Sequence, residues 1–164
     1  MIRPAKIEDI ESVVEIYNQA IDAPFQTAFT DRMSVADRAD WFNSHLCSAY
    51  PMFVYEADGK VVGWLTISSY RSGRGALRYT VEVSYYLHNA YQRKGIGTQL
   101  LDYGLDACRQ LKYRTALAIL LEKNVASIRL LEKAGFRKWA ELPAIADFDG
   151  QECGHVYYGL KFTH

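Results

Sequence analysis

Hydrophobic residues recur along the chain with helical spacing in some stretches and with strand-like spacing in others. The clearest helical stretch carries its apolar residues at Ile10, Val13, Val14, Tyr17 and Ile21. These positions form one face of a helix with 3.6 residues per turn, so the pattern predicts a first helix over residues 9–20.

Two neighbouring stretches, residues 52–57 and 60–70, are rich in strand-forming residues and are separated by Asp58-Gly59. An Asp-Gly pair adopts the positive φ angles that a tight hairpin turn needs, so we expect two antiparallel strands here. Residues 2–5 predict a further short strand, which stops near Pro4.

A loop and a second helix are expected between the first helix and this hairpin. Residues 22–32 have no clear period and include Phe29, so we expect a loop with aromatic side chains. Ser34 and Asp37 form a helix-capping pattern, which predicts that the second helix begins here. Pro51 is expected to stop it.

The second half of the chain alternates strands and helices. The predicted elements are strands at residues 79–87, 115–120, 136–142 and 155–162 and helices at residues 96–111 and after Asn124. The apolar strand 115–120 should be buried and parallel to a neighbour, Gly135 fits the left-handed position that ends a helix, and Asp149-Gly150 lies in a turn. We expect one α/β domain over residues 1–164 with a mixed central sheet flanked by helices.

The overall composition narrows the classes of partner. The 19 Lys and Arg balance the 19 Asp and Glu, so no basic field indicates nucleic acid. No apolar stretch is long enough to span a bilayer, and the chain does not begin as a signal peptide does. Three widely spaced cysteines are typical of a reducing compartment, so we expect a cytoplasmic protein. No cysteine and histidine set has metal-ligand spacing, so we expect no metal.

Residues 91–98, Tyr-Gln-Arg-Lys-Gly-Ile-Gly-Thr, join a predicted strand to a predicted helix. Gly95 and Gly97 would let the backbone turn tightly and direct successive N–H groups to one place. The positive end of the helix dipole and the charges of Arg93 and Lys94 lie there too, so the segment could bind a phosphate or pyrophosphate. An ordinary basic turn that caps a helix explains the same residues.

Two well-known phosphate loops are excluded. The nucleotide-triphosphatase loop needs Gly-Lys followed by Ser or Thr, whereas Gly59-Lys60 is followed by Val61. The dinucleotide-binding fingerprint needs a third glycine where this chain has Leu100.

Gln92, Gly95 and Gly97 fill the pattern [QR]-x-x-G-x-[GA], which resembles the acyl-CoA pyrophosphate loop of the GCN5-related N-acetyltransferases (GNAT). Residues 80–87 before the loop and residues 124–136 after it are similar to the phosphinothricin and methionine-sulfoximine acetyltransferase branch of that superfamily. The resemblance spans nearly the whole chain. It implies the single-domain GNAT fold, in which two central strands of the sheet splay apart.

The resemblance implies that acetyl-CoA is held by the loop, by strand backbone and by the helix that follows. The implied acetyl-CoA-binding residues are Tyr85, Tyr86, Leu87, Arg93, Lys94, Gly95, Ile96, Gly97, Thr98, Asn124 and Ser127. Leu87 is the implied catalytic backbone donor to the thioester oxygen, as a one-member oxyanion hole. Asn124 also fits a plain helix cap.

The resemblance also implies a site for the amine that accepts the acetyl group. Its implied residues are Phe29, Arg74, Gly75, Ala76, Leu77 and Glu82. In the family the region of residues 22–32 helps to wall this site, and an arginine precedes the Thr-x-Glu strand. A packed connector at residues 22–32 and a solvated loop around Arg74 explain the same residues without a ligand.

Glu82 is the candidate general base. Strand alternation places Glu82 and Ser84 on one face and Val81 and Val83 on the other. A carboxylate among apolar neighbours is costly unless it has a partner or a function, so the strand alone leaves a structural glutamate and a base both open. The match of Thr80 and Glu82 to the family's Thr-x-Glu favours a base that takes the proton from the amine.

Three positions depart from the family pattern. Leu131 stands where many members carry a tyrosine that protonates the leaving thiolate; since leucine cannot donate a proton, the general acid is undefined. Leu77 and His155 stand where relatives often have tyrosine and aspartate, and both bear on which acceptor is used.

The resemblance implies an acetyl-CoA-dependent N-acetyltransferase that acts on the primary amine of a small amino acid or its toxic analogue. The implied analogues are phosphinothricin, methionine sulfoximine and methionine sulfone. A protein N-terminal or lysine acetyltransferase, or an acyl-CoA-binding module without turnover, are the alternatives. We further expect a homodimer.

Overall fold

A computed structural model of the chain describes residues 1–47 and 49–163. The strands are β1 (Ile2–Pro4), β2 (Met52–Ala57), β3 (Lys60–Ser69), β4 (Thr80–Leu87), β5 (Thr115–Leu121), β6 (Arg137–Phe148) and β7 (Gln151–Lys161). The helices are α1 (Ile10–Asp22), α2 (Val35–Ser44), α3 (Ile96–Gln110) and α4 (Val125–Lys133). Short 3-10 turns lie at Ile7–Asp9, Gly75–Leu77 and Asn89–Tyr91.

These strands form a single sheet in the order β1-β2-β3-β4-β5-β7-β6, with β4 at its centre. Neighbouring strands are antiparallel except for β4 and β5, which are parallel. The predicted α/β class, the mixed sheet and the buried parallel strand are therefore confirmed.

The two central strands β4 and β5 separate partway along their length. They pair only from Thr80 opposite Thr115 to Glu82 opposite Leu117. Because β4 continues to Leu87 and β5 to Leu121 without pairing again, a wedge-shaped gap opens between them. The expected splay of the central strands is confirmed.

Helices cover both faces of the sheet. On one face α3 and α4 bury Leu100, Leu101 and Leu131 against the central strands, and each fully buried leucine of this kind contributes about 1.5–3 kcal/mol relative to exposure. On the other face α1 and α2 pack on Trp64, whose indole N–H donates to the Val13 carbonyl at 3.1 Å. The two faces of β4 consequently meet different surroundings.

Local turn and cap signals are realised where the sequence places them. Asp58-Gly59 and Asp149-Gly150 both have two consecutive positive φ angles, as hairpin turns of this length require. Ser34 accepts a hydrogen bond from the Asp37 N–H and begins α2. Gly135 has φ +100 just after α4. These predictions succeed because each depends on neighbouring residues alone.

Two strand boundaries differ by several residues from those predicted. Strand β6 runs to Phe148 instead of residue 142, and β7 begins at Gln151 instead of residue 155. The added part of the hairpin contains a register shift between Leu142 and Ala146, with Ala144 at φ +52. A strand prediction depends on two-residue alternation, and the bulge interrupts that alternation. The sequence pattern therefore does not indicate the strand residues beyond Leu142.

Helix α2 also ends earlier than expected, at Ser44 and not near Pro51. Its C-cap is His45, a buried residue whose Nδ1 lies 2.8 Å from the Tyr50 carbonyl oxygen. The histidine therefore holds the connecting segment against the helix, a structural role.

Candidate active site

A cavity of about 710 Å³ opens at the gap between β4 and β5. Its volume is in the range of small-molecule and cofactor sites. It is lined by many of the sequence-predicted site residues: Phe29, Glu82, Tyr85, Tyr86, Leu87, Arg93, Gly95, Gly97, Thr98, Asn124 and Ser127. One cavity thus brings together residues 91–98, which we call the anion loop after the role expected of them, the central strand β4 and the start of α4.

Other predicted residues lie outside the lining of this cavity. Lys94 is exposed, with Nζ 4.9 Å from the centroid of the Tyr91 ring, and Ile96 is buried in the core at the first turn of α3. Arg74, Gly75, Ala76 and Leu77 lie in and around the 3-10 turn that precedes β4. This turn is adjacent to the Glu82 end of β4 but does not wall the cavity.

Unpaired backbone of β4 faces the gap. The N–H of His88 donates to the Val62 carbonyl of β3 at 2.8 Å, and backbone direction alternates along a strand. Odd-numbered residues of β4 therefore present their N–H groups toward β5. Beyond the paired part, this leaves the N–H groups of Tyr85 and Leu87 directed into the gap, the arrangement that an extra extended ligand needs.

The anion loop turns through left-handed residues before α3 begins at Ile96. Arg93 has φ +60 and Gly95, the N-cap of α3, has φ +80. Gly97 has a helical conformation but stands in a tight place: a Cβ there would lie 3.3 Å from Leu130 Cδ2 and 3.4 Å from Leu87 Cδ1. The first N–H groups of α3 have no partner within the helix and lie at this end of the cavity, an arrangement that suits an anion.

Asn124 lies at the opposite side of the gap, immediately before α4. Its Oδ1 accepts a hydrogen bond from the Ser127 N–H at 3.4 Å, so it is the N-cap of α4. Both residues also line the cavity. The cap fixes the side chain of Asn124 at the wall, where it can meet a ligand in the gap.

Glu82 lies on the face of β4 that looks toward α1 and α2, while Val81 and Val83 are buried on the other face. Within residues 1–47 and 49–163, its carboxylate makes no hydrogen bond or ion pair. Burial raises the pKa of Glu82, because removing water disfavours the charged form. An unpaired carboxylate with a raised pKa in a cavity is typical of a general base.

The wall near Glu82 is aromatic and was only partly anticipated. Tyr17 of α1 and Tyr86 of β4 stack with ring centroids 4.8 Å apart, and Phe29 packs edge-on against Tyr17 at 5.6 Å. Burial raises the pKa of both tyrosines. Helical periodicity assigned Tyr17 to the core face of α1, and nothing in that pattern shows that its ring also borders a cavity formed by other segments.

Tyr85 and Leu131 line the cavity on the side of α3 and α4. The Tyr85 hydroxyl is buried and accepts or donates no hydrogen bond among the described residues. Burial raises the pKa of Tyr85 to about 12, although the nearby Ser127 side chain lowers it in part. Leu131, at the position where many family members carry a proton-donating tyrosine, is a buried aliphatic side chain.

His155 enters the cavity wall from β7, where it pairs with Leu121 of β5. Partial burial lowers the pKa of His155, so its imidazole is neutral at neutral pH. Periodicity places His155 in a strand but does not show which cavity that strand borders.

Within the described ranges, no group of three His, Cys, Asp or Glu side chains is arranged to hold a metal ion. None of the described helices is both long and apolar enough to cross a membrane.

Comparison with known proteins gives consistent matches over most of the chain. The model of the acetyltransferase (GNAT) family matches residues 10–136. The chain is 37% identical over 161 residues to YwnH of Bacillus subtilis (strain 168), provisionally named a phosphinothricin acetyltransferase, covering 98% of this chain and 94% of that protein. It is 37% identical over 147 residues to the L-methionine sulfoximine/L-methionine sulfone acetyltransferase of Salmonella typhimurium (strain LT2), covering 88% of this chain and 84% of that one.

Among solved structures, a phosphinothricin acetyltransferase from Sinorhizobium meliloti in complex with acetyl-CoA superposes with a TM-score of 0.92. The match has 28% sequence identity and covers 98% of this chain and 87% of the other.

Proposed function

We propose, from the premise that this chain belongs to the acetyltransferase (GNAT) family, that it is an acetyl-CoA-dependent N-acetyltransferase of small amino acids and their analogues. The observation that carries this proposal is the placement of Glu82. Its unpaired carboxylate shares one cavity with the anion loop and with the unpaired backbone of β4.

The cavity fits acetyl-CoA on structural grounds. The N–H groups at the start of α3, with Arg93 beside them, suit a pyrophosphate. Tyr85 and Leu87 offer backbone groups to an extended arm in the gap, and Asn124 and Ser127 border it from α4. When bound, acetyl-CoA supplies the activated acetyl thioester.

The residues of this chain then prepare the amine and stabilise developing charge. Glu82 takes the proton of the attacking amine, directly or through water; an α-amine has a pKa of about 7.7–8.0, so a weak base is sufficient. The N–H of Leu87, or that of Tyr85 two residues closer to Glu82, would donate to the thioester oxygen as it gains negative charge. As the C–N bond forms the C–S bond would break, and CoA would leave as a thiolate that takes its proton from water.

The acceptor is a small amino acid analogue of the phosphinothricin, methionine sulfoximine or methionine sulfone type. Curated relatives are named for these substrates, and the aromatic wall of Tyr17, Phe29 and Tyr86 encloses the space beside Glu82. Arg74 approaches the acceptor's acidic group from the turn before β4, with Gly75, Ala76 and Leu77 around it. Acetylation removes the charge of a toxic analogue's amine, so the protein would confer resistance to such compounds.

The protein assembles as a homodimer and acts in the cytoplasm. Support for the dimer comes from the edge strand β6, where Trp139, Leu142 and Ile145 expose 49%, 37% and 57% of their surface. Support for a reducing compartment comes from the cysteines, since Cys47, Cys108 and Cys153 are all free.

Release of free CoA thiol from acetyl-CoA in the presence of a panel of amines tests this function. Methionine sulfone, methionine sulfoximine and phosphinothricin should give turnover well above that of lysine-containing or N-terminal peptides. Faster turnover with the peptides would replace the proposal with a protein acetyltransferase. Acetyl-CoA binding without turnover on any amine would leave a binding module.

A further inference from the structure

Arg38 of α2 has an unusual environment for an arginine. Its guanidinium carbon lies 4.1 Å from the centroid of the Trp41 ring, 5.3 Å from that of Tyr17 and 5.6 Å from that of Phe29. Nε is buried without a hydrogen-bond partner, and among the described residues no carboxylate pairs with this side chain. Three aromatic rings therefore hold a cation that has no anion.

This arrangement favours binding of an anion. Cation–π contacts hold the planar group in one orientation, but they satisfy none of its five N–H donors. The Arg38 side chain is half-buried, and among the described residues neither Nη1 nor Nη2 makes an ion pair, so both keep their donors for a ligand. A fixed guanidinium fork with free donors matches the two oxygens of a carboxylate or phosphinate.

The position of Arg38 relates it to the acceptor end of the cavity. Arg38 itself does not line the cavity, but two of its three rings, Tyr17 and Phe29, belong to the wall beside Glu82. The positive charge of Arg38 acts on this wall: burial raises the pKa of Tyr17, and the charge of Arg38 partly offsets that rise. The only cation in the described cavity lining is Arg93, which lies in the anion loop.

We propose that Arg38 binds the negatively charged oxygens of the acceptor, a carboxylate or a phosphinate, and so selects amino acids over plain amines. The inference rests on the proposed function and makes the substrate class of the same site more specific. Arg74 is exposed and its Nη1 donates to the Ser72 carbonyl at 3.1 Å, so the two arginines approach the acceptor from different segments and can be tested separately.

The test combines protein variants with acceptors that keep or lose their acidic groups. Binding is measured by calorimetry on the CoA complex, and kcat/KM by thiol release, for methionine sulfone, its carboxamide, phosphinothricin and its carboxamide. Arg38→Met keeps much of the side-chain stem and removes the donors; Arg38→Lys keeps the charge but not the planar fork. Arg74→Met is compared in parallel.

Arg38→Met should weaken binding of methionine sulfone roughly 10–100-fold, as expected for loss of a hydrogen bond to a charged group, and should leave KM for acetyl-CoA unchanged. The carboxamide of methionine sulfone should lose less than about threefold on the same substitution, which a general loss of packing would not produce. If Arg38 binds the phosphinate, the large effect should instead persist with the carboxamide of phosphinothricin. Arg38→Lys should fall between wild type and Arg38→Met.

Arg32→Met is the matched control. Arg32 lies in the preceding segment and is already paired with Asp22 and Glu15, so its loss should not change acceptor binding. A loss of the same size for methionine sulfone and for its carboxamide in Arg38→Met, or no loss for any acceptor in Arg38→Lys and Arg38→Met alike, would overturn the inference. Because binding is measured without turnover, an inactive wild-type protein would contradict the proposed function and still leave the Arg38 result readable.

Discussion

At the scale of single residues, the proposed chemistry depends on one carboxylate that has no partner among the described residues. Glu82 lies between an aromatic wall and a gap in the sheet, and burial raises its pKa. An ion pair would lower that pKa and hold the group charged but weakly basic. The absence of a paired cation for Glu82 in the described part of the chain, and of a paired anion for Arg38, leaves both groups available to a ligand that carries an amine and an acid.

Glu82→Gln should lower kcat/KM at neutral pH by roughly 10²–10⁴-fold, the usual effect of losing a general base, without changing acetyl-CoA affinity. In wild type, activity should fall with decreasing pH at a value above 4.5, because the base must be unprotonated and its pKa is raised. In the variant this acid limb should be replaced by one near the amine's own pKa of about 7.7–8.0, because only the neutral amine then reacts. Rate measurements against pH for both proteins, with calorimetry for acetyl-CoA, provide the check.

A melting curve separates this role from a structural one. A carboxyl group whose pKa is higher in the folded than in the unfolded state destabilises the fold once the pH rises through the folded pKa. Glu82→Gln should therefore melt at or above the wild-type temperature at neutral pH. A folded variant with wild-type kcat/KM would exclude Glu82 as the base, and a lower melting temperature with full activity in the folded fraction would make it structural.

At the scale of elements, the site is built where a strand, a turn and a helix meet. Strand β4 leaves its partner β5 after Glu82, and the loop that follows reaches α3 through left-handed residues. The same loop thus ends the open strand and begins the helix whose N-terminus attracts anions. A site for a CoA-like ligand therefore needs the strand, the loop and the helix together.

Gly95→Ala and Gly97→Val test this junction. Gly95 has φ +80, where an alanine is strained by about 1–2 kcal/mol. A side chain at Gly97 would press on Leu130 and Leu87 and fill the approach to the helix N-terminus. Both changes should weaken CoA binding tenfold or more, about 1.4 kcal/mol, in proteins that still melt cooperatively.

Gly59→Ala is the control for Gly95→Ala. Gly59 has a comparable φ of +72 and, like Gly95, has no atom within 4 Å of an added Cβ, but it lies in the β2–β3 turn away from the cavity. It should lose similar stability and keep CoA affinity. Unchanged CoA binding in folded Gly97→Val protein would remove the anion-loop assignment.

At the scale of the whole molecule, the C-terminal hairpin is both a wall of the site and an exposed edge. Strand β7 carries His155 into the cavity wall, while β6 outside it is exposed along most of its length. Trp139 crosses over Gly159, where a Cβ would meet the Trp139 ring at 2.1 Å, so a glycine is required at that crossing. The hairpin couples the end of the sheet to the site and exposes apolar side chains along its edge, where we propose that a second copy binds.

Ile145→Lys should convert a dimer to a monomer. Ile145 is 57% exposed on the edge strand, and a lysine there would place a charge in an apolar interface. Molecular mass from sedimentation at several concentrations provides the measurement. Ile7→Lys is the control. Ile7 is 56% exposed but lies in the 3-10 turn before α1 and not on β6, so this variant should keep the wild-type mass. Identical masses for all three proteins would argue against β6 as the interface.

The sequence by itself determined the elements and their order, because these depend on local patterns. Turns at Asp58-Gly59 and Asp149-Gly150, the cap at Ser34 and the helix end at Gly135 follow from residues adjacent in the chain. The motif around Gly95, read together with its resemblance to a family, also indicated eleven of the residues that line the cavity. The bulged part of β6 was missed because its alternation is interrupted.

Only the tertiary structure decided which distant residues face one another across the site. Periodicity gives Tyr17 a buried face but cannot show that this face meets Tyr86, Phe29 and Arg38, which come from three other segments. It likewise cannot show that Arg74 stays outside the cavity lining or that His155 enters it. The physical reason is that spacing along the chain reports the direction of a side chain within its own element, whereas a binding site is made by the packing of elements whose contacts the spacing does not encode.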